Sequence, residues 1–232
     1  MLKILDPREL DLIAYDEGYL DEIKKFSLLE GNRIGWNYPL DYIWVLKEVK
    51  ELIGNGQRIL DIGCGPGAIH GYLESKYDVD IVGVDINRWK KDYVDLVGDF
   101  GDLEFRRINK FDAESVDIVI STSAFEHINP ARHQEIIRII KECLKPGGYL
   151  ISTTTISPKK TRKVYTDQWD LSQEELEIVY GEKLVGGNYK QIKPFYQNHR
   201  EMPALYKERF GRWLPWYPKY LSIGYSYRKD IK

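Results

Sequence analysis

Short apolar, largely β-branched runs alternate along the chain with longer amphipathic stretches. "RILDIG" (58–63), "DIVGVDI" (80–86), "LEFRRI" (103–108), "VDIVIST" (116–122) and "YLISTTT" (149–155) have the length and composition of buried strands. Helical periodicity separates them, from Gly67 to about Lys76, from about Trp89 to Val97, and in "PARHQEIIRIIKECL" (130–144), which "KPGG" stops. Strand and helix in alternation predict a parallel sheet with right-handed crossovers. Residues 1–55 read as helical: "LDYIWVLKEVKELI" sets Leu40, Ile43, Trp44, Leu46, Val49 and Ile53 largely on one face, and Asn55 and Gly56 end it. After 155 the pattern loosens. "SPKKTRK" (157–163) reads as a polar loop, "SQEELEIVY" as a short helix capped by Ser172 and Glu175, "KLVGGNYKQI" as a strand broken by glycines, and "QNHREMPALYKERFGR" as a helix bounded at Pro203. "YLSIGYSY" (220–227) alternates as a final strand.

With 232 residues the chain suits one α/β domain with additions: a helical cap (1–55), a cofactor-binding core (56–155) and substrate-side elements with the final strands (156–232). The net charge of −2 supplies no global field for nucleic acid. The acidic start "MLKILDPRELDLIAYDE" lacks the apolar run of a signal peptide, and no stretch approaches the roughly 20 apolar residues of a membrane span. Cys64 and Cys143 do not form a disulfide framework, which points to a reducing, cytoplasmic setting. The four histidines are scattered, so no metal site is expected.

"LDIGCGPG" (60–67) holds the first chemistry. Alternate glycines after a strand let a ligand approach the backbone. A pyrophosphate fingerprint has its third glycine three places after the second, whereas here Gly63, Gly65 and Gly67 alternate and residue 68 is alanine. Asp61 would repel a diphosphate and favour a cation. Eighteen residues past Gly67, Asp85 ends the second strand, where an acid can accept hydrogen bonds from both ribose hydroxyls. The ligand indicated is a nucleoside with a positive, non-phosphorylated extension, as in S-adenosylmethionine.

"ILDIGCGPG", "VGVDIN", "DIVISTSAFEHI" and "CLKPGGYLIST", in that order, resemble the motifs of the class I S-adenosylmethionine-dependent methyltransferases. The resemblance covers about 58–155. It implies a Rossmann-like, doubly wound, seven-stranded and mostly parallel sheet with an antiparallel last strand, and in-line methyl transfer leaving S-adenosylhomocysteine. Carried over by position, Asp61, Gly63 and Gly65 surround the methionine end and Gly67 opens the helix. Asp85 holds the ribose, Ile86 and Asn87 lie by the adenine, and Ser121 and Thr122 meet the amino-acid portion. Family members carry a longer acidic loop after the third strand; here "INKFDAESVD" follows directly, and Asn109 and Lys110 are assigned to the adenine side, with Asp112 as substitute.

"FEHI" (125–128) supplies the catalytic candidates. His127 could accept a proton from a substrate hydroxyl, with Glu126 orienting it or acting itself; the competing reading is that both shape the loop. His70 reads as a helix residue without chemistry, His133 as lying on a solvated face, and Cys64 as packing. Arg33, Trp36 and Tyr38 are placed where they could close over the cofactor or simply pack. The cations of "SPKKTRK" suit an anionic group or a solvated loop. "RFGRWLPWYPKY" (209–220) suits sugar stacking, a membrane interface or ordinary packing. The expected activity is therefore methyl transfer to a small-molecule or glycan-like acceptor, at oxygen, with peripheral membrane contact left open. An RNA or protein methyltransferase, and a non-catalytic interaction module that keeps the cofactor fold, are the alternatives.

Overall fold

The computed structural model describes residues 1–5, 22, 25, 38–89, 94–157, 160–164, 168–185 and 221–231. One sheet organises them. Its strands are β1 (Leu2–Ile4), β2 (Gln57–Ile62), β3 (Val79–Asp85), β4 (Leu96–Val97), β5 (Val116–Ser121), β6 (Leu144–Ser157), β7 (Arg162–Lys163), β8 (Trp169–Ser172), β9 (Leu184–Val185) and β10 (Leu221–Arg228). The order is β4-β3-β2-β5-β6-β10-β1-β9, with β8 paired to β6 beyond the point where β5 covers it and β7 paired to β8. Strands β4, β3, β2, β5 and β6 are parallel, and β10 is antiparallel to both β6 and β1. The doubly wound, mostly parallel architecture with an antiparallel last strand is as expected. The main path holds eight strands among the described residues, one more than the seven expected.

The helices are α1 (Tyr38–Lys50), α2 (Ala68–Lys76), α3 (Leu103–Ile108), α4 (His133–Cys143) and α5 (Gln173–Tyr180). Alternate residues of each central strand face opposite sides, so the sheet carries two cores. On one side Ile59, Ile118, Ile120 and Ile151 pack with Ile43, Trp44 and Leu46 of α1 and with Ile69 and Leu73 of α2. On the other, Leu60, Val119 and Leu150 pack with Ile136, Ile140, Leu176 and Tyr180 from α4 and α5. Asn129 starts the turn into α4 by accepting the Ala131 N–H at 3.1 Å, and Pro130 takes the first position, where no backbone donor is needed. The capping pair expected for α5 is present: Ser172 accepts the Glu175 N–H at 3.3 Å.

Three expectations fail. "LEFRRI" is helix α3 and not a strand: Asp102 caps it by accepting the Phe105 N–H at 2.8 Å, and Leu103 and Ile108 stay exposed. Of its three apolar residues only Phe105 packs against the core, half-buried, so a count of apolar positions misreads the stretch. The third parallel strand is instead the two-residue β4, inside the stretch assigned to a helix ending at Val97. Leu2–Ile4, read as helical, is a strand, because β10 offers Ile223, Gly224 and Tyr225 as ladder partners from the far end of the chain. Much of residues 6–37 lies outside the described residues, as do most of "KLVGGNYKQI" and all of "QNHREMPALYKERFGR" and "RFGRWLPWYPKY".

Candidate active site

At the carboxyl end of β2 the chain turns through Gly63, Gly65 and Gly67 into α2. The loop hangs from the neighbouring strand: the Gly63 and Cys64 N–H groups donate to the Val84 carbonyl at 2.7 and 3.3 Å. Gly63 (φ 68°) and Gly65 (φ 52°) occupy the left-handed region. A Cβ on Gly63 would lie 2.3 Å from the Ala124 Cβ, so the glycine loop and the loop after β5 are in contact. At Gly65 an added Cβ would meet only the Gly63 carbonyl, at 3.9 Å, and otherwise fill open space beside the backbone. That space is what the alternate glycines leave for a ligand.

Asp85 is fixed at the rim of this space. Its Oδ2 accepts the Gly65 N–H at 3.0 Å and its Oδ1 accepts the Asn87 N–H at 2.8 Å, which orients the carboxylate with lone pairs to spare. Ile86, next to it, leaves a large apolar side chain exposed, as a surface for a flat ring requires. Asp61 is buried at the end of β2, and its carboxyl is pushed up to about 7, chiefly by burial and then by Asp85 and Asp95. Three acids with no cation among those causes disfavour an anionic ligand and favour a positive one. Ser121 Oγ donates to the Ile62 carbonyl at 3.0 Å, tying the tips of β5 and β2 together, and the buried Thr122 Oγ1 has no partner among the described residues. Asp61, Gly63, Gly65, Gly67, Asp85, Ile86, Asn87, Ser121 and Thr122 thus gather at one end of the sheet.

Asn109 and Lys110 do not join them. Asn109 caps α3, its Nδ2 donating to the Phe105 carbonyl at 2.7 Å. The Lys110 carbonyl accepts Arg58 Nη1 at 3.2 Å, and Arg58 lies near the start of β2, at the edge opposite the glycine loop. The segment that does reach Asp85 is Gly98–Gly101, after β4: the Gly98 N–H donates to the Asp85 carbonyl at 2.9 Å. Asp99 turns this loop by accepting the Gly101 N–H at 2.8 Å and anchors it to Arg132 at 2.6 Å; that guanidinium holds its carboxyl below the usual range. The sequence signal was "VGDFGD", whose strand is too short to show periodicity.

Beyond Ala124 lies a second group of polar residues. Ser123 (φ 51°) donates its N–H to Thr153 Oγ1 at 3.0 Å and its Oγ to Asp41 of α1 at 2.5 Å. The next residues, Phe125–His127, form one tight turn that sends neighbouring side chains in opposite directions. Glu126 points inward and is 1% exposed, whereas His127 is exposed. Burial first, and then the Asp41 charge, pushes the Glu126 carboxyl up to about 8. Asp41, 1% exposed, is pushed up to about 7 by burial, against the pull of the Ser123 and Ser222 hydroxyls. The other end of the group is Asp170 on β8, which takes Thr155 Oγ1 at 2.9 Å and Arg162 Nη2 at 3.0 Å. Arg162 of the basic loop is therefore turned onto a buried acid, and Lys163 lies over the Trp169 ring at 5.4 Å.

Asp41 escaped the sequence reading because a single acid on an amphipathic helix has no pattern; only the fold brings it to Ser123. His133 is buried, not solvated, with Nε2 3.0 Å from the Ile128 carbonyl and its ring edge-on to Phe125. His70 is buried within α2. Neither cysteine is in a disulfide, and burial raises Cys64 far from the reactive range. Arg33 and Trp36 lie outside the described residues, and of Tyr38 only the backbone is described.

Residues 36–181 match the family model described as a methyltransferase domain. The chain belongs to that family. With the motifs above, it is placed among the class I S-adenosylmethionine-dependent methyltransferases, a family whose cofactor is S-adenosylmethionine. Among curated relatives, this methyltransferase is 32% identical over 124 residues to the cyclopropane-fatty-acyl-phospholipid synthase of Escherichia coli strain K12, covering 49% of this chain and 30% of the relative. It is 27% identical over 176 residues to cyclopropane mycolic acid synthase 1 of Mycobacterium tuberculosis, covering 72% and 61%. The methyltransferase thus spans less than two thirds of either relative. Its fold matches the cyclopropane synthase MmaA2 of Mycobacterium tuberculosis with a TM-score of 0.54 at 15% identity, over 97% of this chain and 99% of the other. The [4+2]-cyclase SpnF also matches at 0.54, with 16% identity over 97% and 95%. Among the described residues no helix is long and apolar enough to cross a membrane, and no group of three His, Cys, Asp or Glu is placed to hold a metal ion.

Proposed function

We propose that the enzyme methylates a small-molecule acceptor, free or lipid-linked, at an atom that must shed a proton, and that Glu126 takes that proton. The observation that carries the reading is the placement of Glu126: a buried carboxyl, Oε2 without a partner among the described residues, on the loop whose Ala124 packs against Gly63 of the cofactor loop. A carboxyl titrating at about 8 is matched to proton transfer near neutrality. The cofactor supplies an electrophilic methyl on a sulfonium. Asp85 would hold its ribose, the Gly63–Gly67 backbone its amino-acid portion, and Ile86 with the Gly98–Gly101 loop its adenine. Asp61, Asp85 and Asp95 give that end the negative potential that suits a cation.

The hydroxyl acceptor expected from the sequence belongs to this class, and the names of the cyclopropane synthase relatives favour a lipid-type molecule over a glycan. A cytoplasmic enzyme with peripheral access to lipid fits both. Labelled methyl transfer into the lipid and small-molecule fractions of a cell extract tests the reading. Glu126→Gln should lower turnover by roughly 10²- to 10⁴-fold, the range of general acid–base catalysis, and leave S-adenosylhomocysteine affinity within about twofold. His127→Ala, removing an exposed ring, should change turnover little. The reverse outcome would move the role to His127.

A further inference from the structure

The described residues around Glu126 carry an imbalance of charge that the reading above leaves unused. Three acids, Asp41, Glu126 and Asp170, lie close enough for Asp41 and Asp170 both to act on Glu126. Asp170 has Arg162. Neither Asp41 nor Glu126 has a cationic partner among the described residues: hydroxyls of Ser123 and Ser222 face Asp41, and Thr154, Asp41 and Asp170 face Glu126. Two carboxyl oxygens in this group, Asp41 Oδ1 and Glu126 Oε2, are buried without a hydrogen-bond partner, and the Thr154 hydroxyl faces Glu126, all on residues at most 2% exposed. Unpaired buried polar atoms cost free energy, and two carboxyl oxygens in one cluster mark a place that a ligand with several donors would complete. An ammonium group has three N–H donors and the positive charge that neither carboxyl has opposite it among the described residues.

We infer that Asp41, Glu126 and Thr154 form a subsite for an ammonium group, so that the acceptor is an amine. The inference rests on Glu126 being the proton acceptor, and it narrows the acceptor from any proton-shedding atom to nitrogen, away from the oxygen expected at first. In the free protein Glu126 stays largely protonated near neutrality and Asp41 about half so, which limits the buried charge. An arriving ammonium stabilises the ionised form, and Glu126 releases a proton to solvent. The bound ammonium then gives one N–H proton to the Glu126 carboxylate: an O–H bond forms, an N–H bond breaks, and the electron pair stays on nitrogen. That pair forms the N–C bond to the methyl carbon while the C–S pair remains on sulfur. A neutral alcohol of the same shape evokes no such ionisation, so the cluster selects by charge.

Calorimetry on the full chain saturated with S-adenosylhomocysteine tests this, with linear primary amines of two to eight carbons and the matched alcohols as probes. At least one amine should bind at least tenfold more tightly than its alcohol. Its heats should vary with buffer ionisation enthalpy as proton release requires, and the pair Asp41→Asn and Glu126→Gln should abolish both effects. Equal affinity for amines and alcohols, absence of amine binding, or amine binding without proton release would overturn the inference. The wild-type comparison decides even where a variant does not fold. Should alcohols bind as well as amines while Glu126→Gln still suppresses methyl transfer from labelled cofactor, the ammonium subsite falls and the role of Glu126 stands.

Discussion

Asp85 does two jobs with one side chain. It anchors the glycine loop through the Gly65 N–H and the turn that follows β3 through the Asn87 N–H, and its remaining lone pairs face the place assigned to the ribose. Asp85→Ala should therefore weaken S-adenosylhomocysteine binding by about 10²-fold or more, since hydrogen bonds to a charged group are worth about 1.5–3 kcal/mol each and two ribose hydroxyls are involved. Asp85→Asn keeps the shape but loses an acceptor, and should fall between the two. Titration calorimetry reads both. A loss under threefold in Asp85→Ala would remove the aspartate from the cofactor site. This residue was legible in the sequence because the end of an apolar run and its distance from the glycines both specify it. Asp41 was not, because its chemistry comes from Ser123 and Ser222, 82 positions away in the first case, and no local pattern records that meeting.

The loop Gly63–Gly67 and the turn Phe125–His127 are separate in sequence and act as one element in space, since Ala124 fills the room that Gly63 leaves. Gly63→Ala adds a methyl 2.3 Å from the Ala124 Cβ at φ 68°. Overpacking of this kind costs about 1–3 kcal/mol and the left-handed backbone about 1 more. Ala124→Gly in the same chain should recover the packing part and leave the backbone part, a non-additivity that paired chemical denaturation measures. Additive losses would mean the two loops are not in contact. The same elements show what periodicity can and cannot convey. Strands β2, β3, β5 and β6 were legible because their buried middles read as short apolar, largely β-branched runs. β4 has two residues and β1 three, and each is held as a strand by a partner from elsewhere in the chain, so neither announces itself.

Across the described residues, the buried acids tie stability to pH in a direction opposite to the usual one for carboxylates; Asp170 too is raised by burial. Asp41 and Asp61 are raised to about 7 and Glu126 to about 8, each mainly by burial, so the folded chain holds protons there that the unfolded chain gives up near 4. Between those limits the native state binds more protons than the unfolded state, and stability falls as pH rises. The stabilisation is complete below about pH 4, where both states are protonated, and is lost as pH climbs through 7 to 8. Each group contributes a slope of at most about 1.4 kcal/mol per pH unit in that window. The free enzyme should accordingly melt at a higher temperature near pH 5.5 than near pH 8.5. Asp41→Asn together with Glu126→Gln should flatten the profile, leaving the shares due to Asp61 and Asp170. S-adenosylmethionine should then recover more of the melting temperature at pH 8.5 than at pH 5.5, because a positive ligand near Asp61 favours the ionised carboxyl that high pH imposes. S-adenosylhomocysteine, lacking the sulfonium charge, should show less of this difference in paired thermal melts at the two pH values. Equal gains from the two ligands would separate Asp61 from the sulfonium and leave the acid as a support of the loop alone.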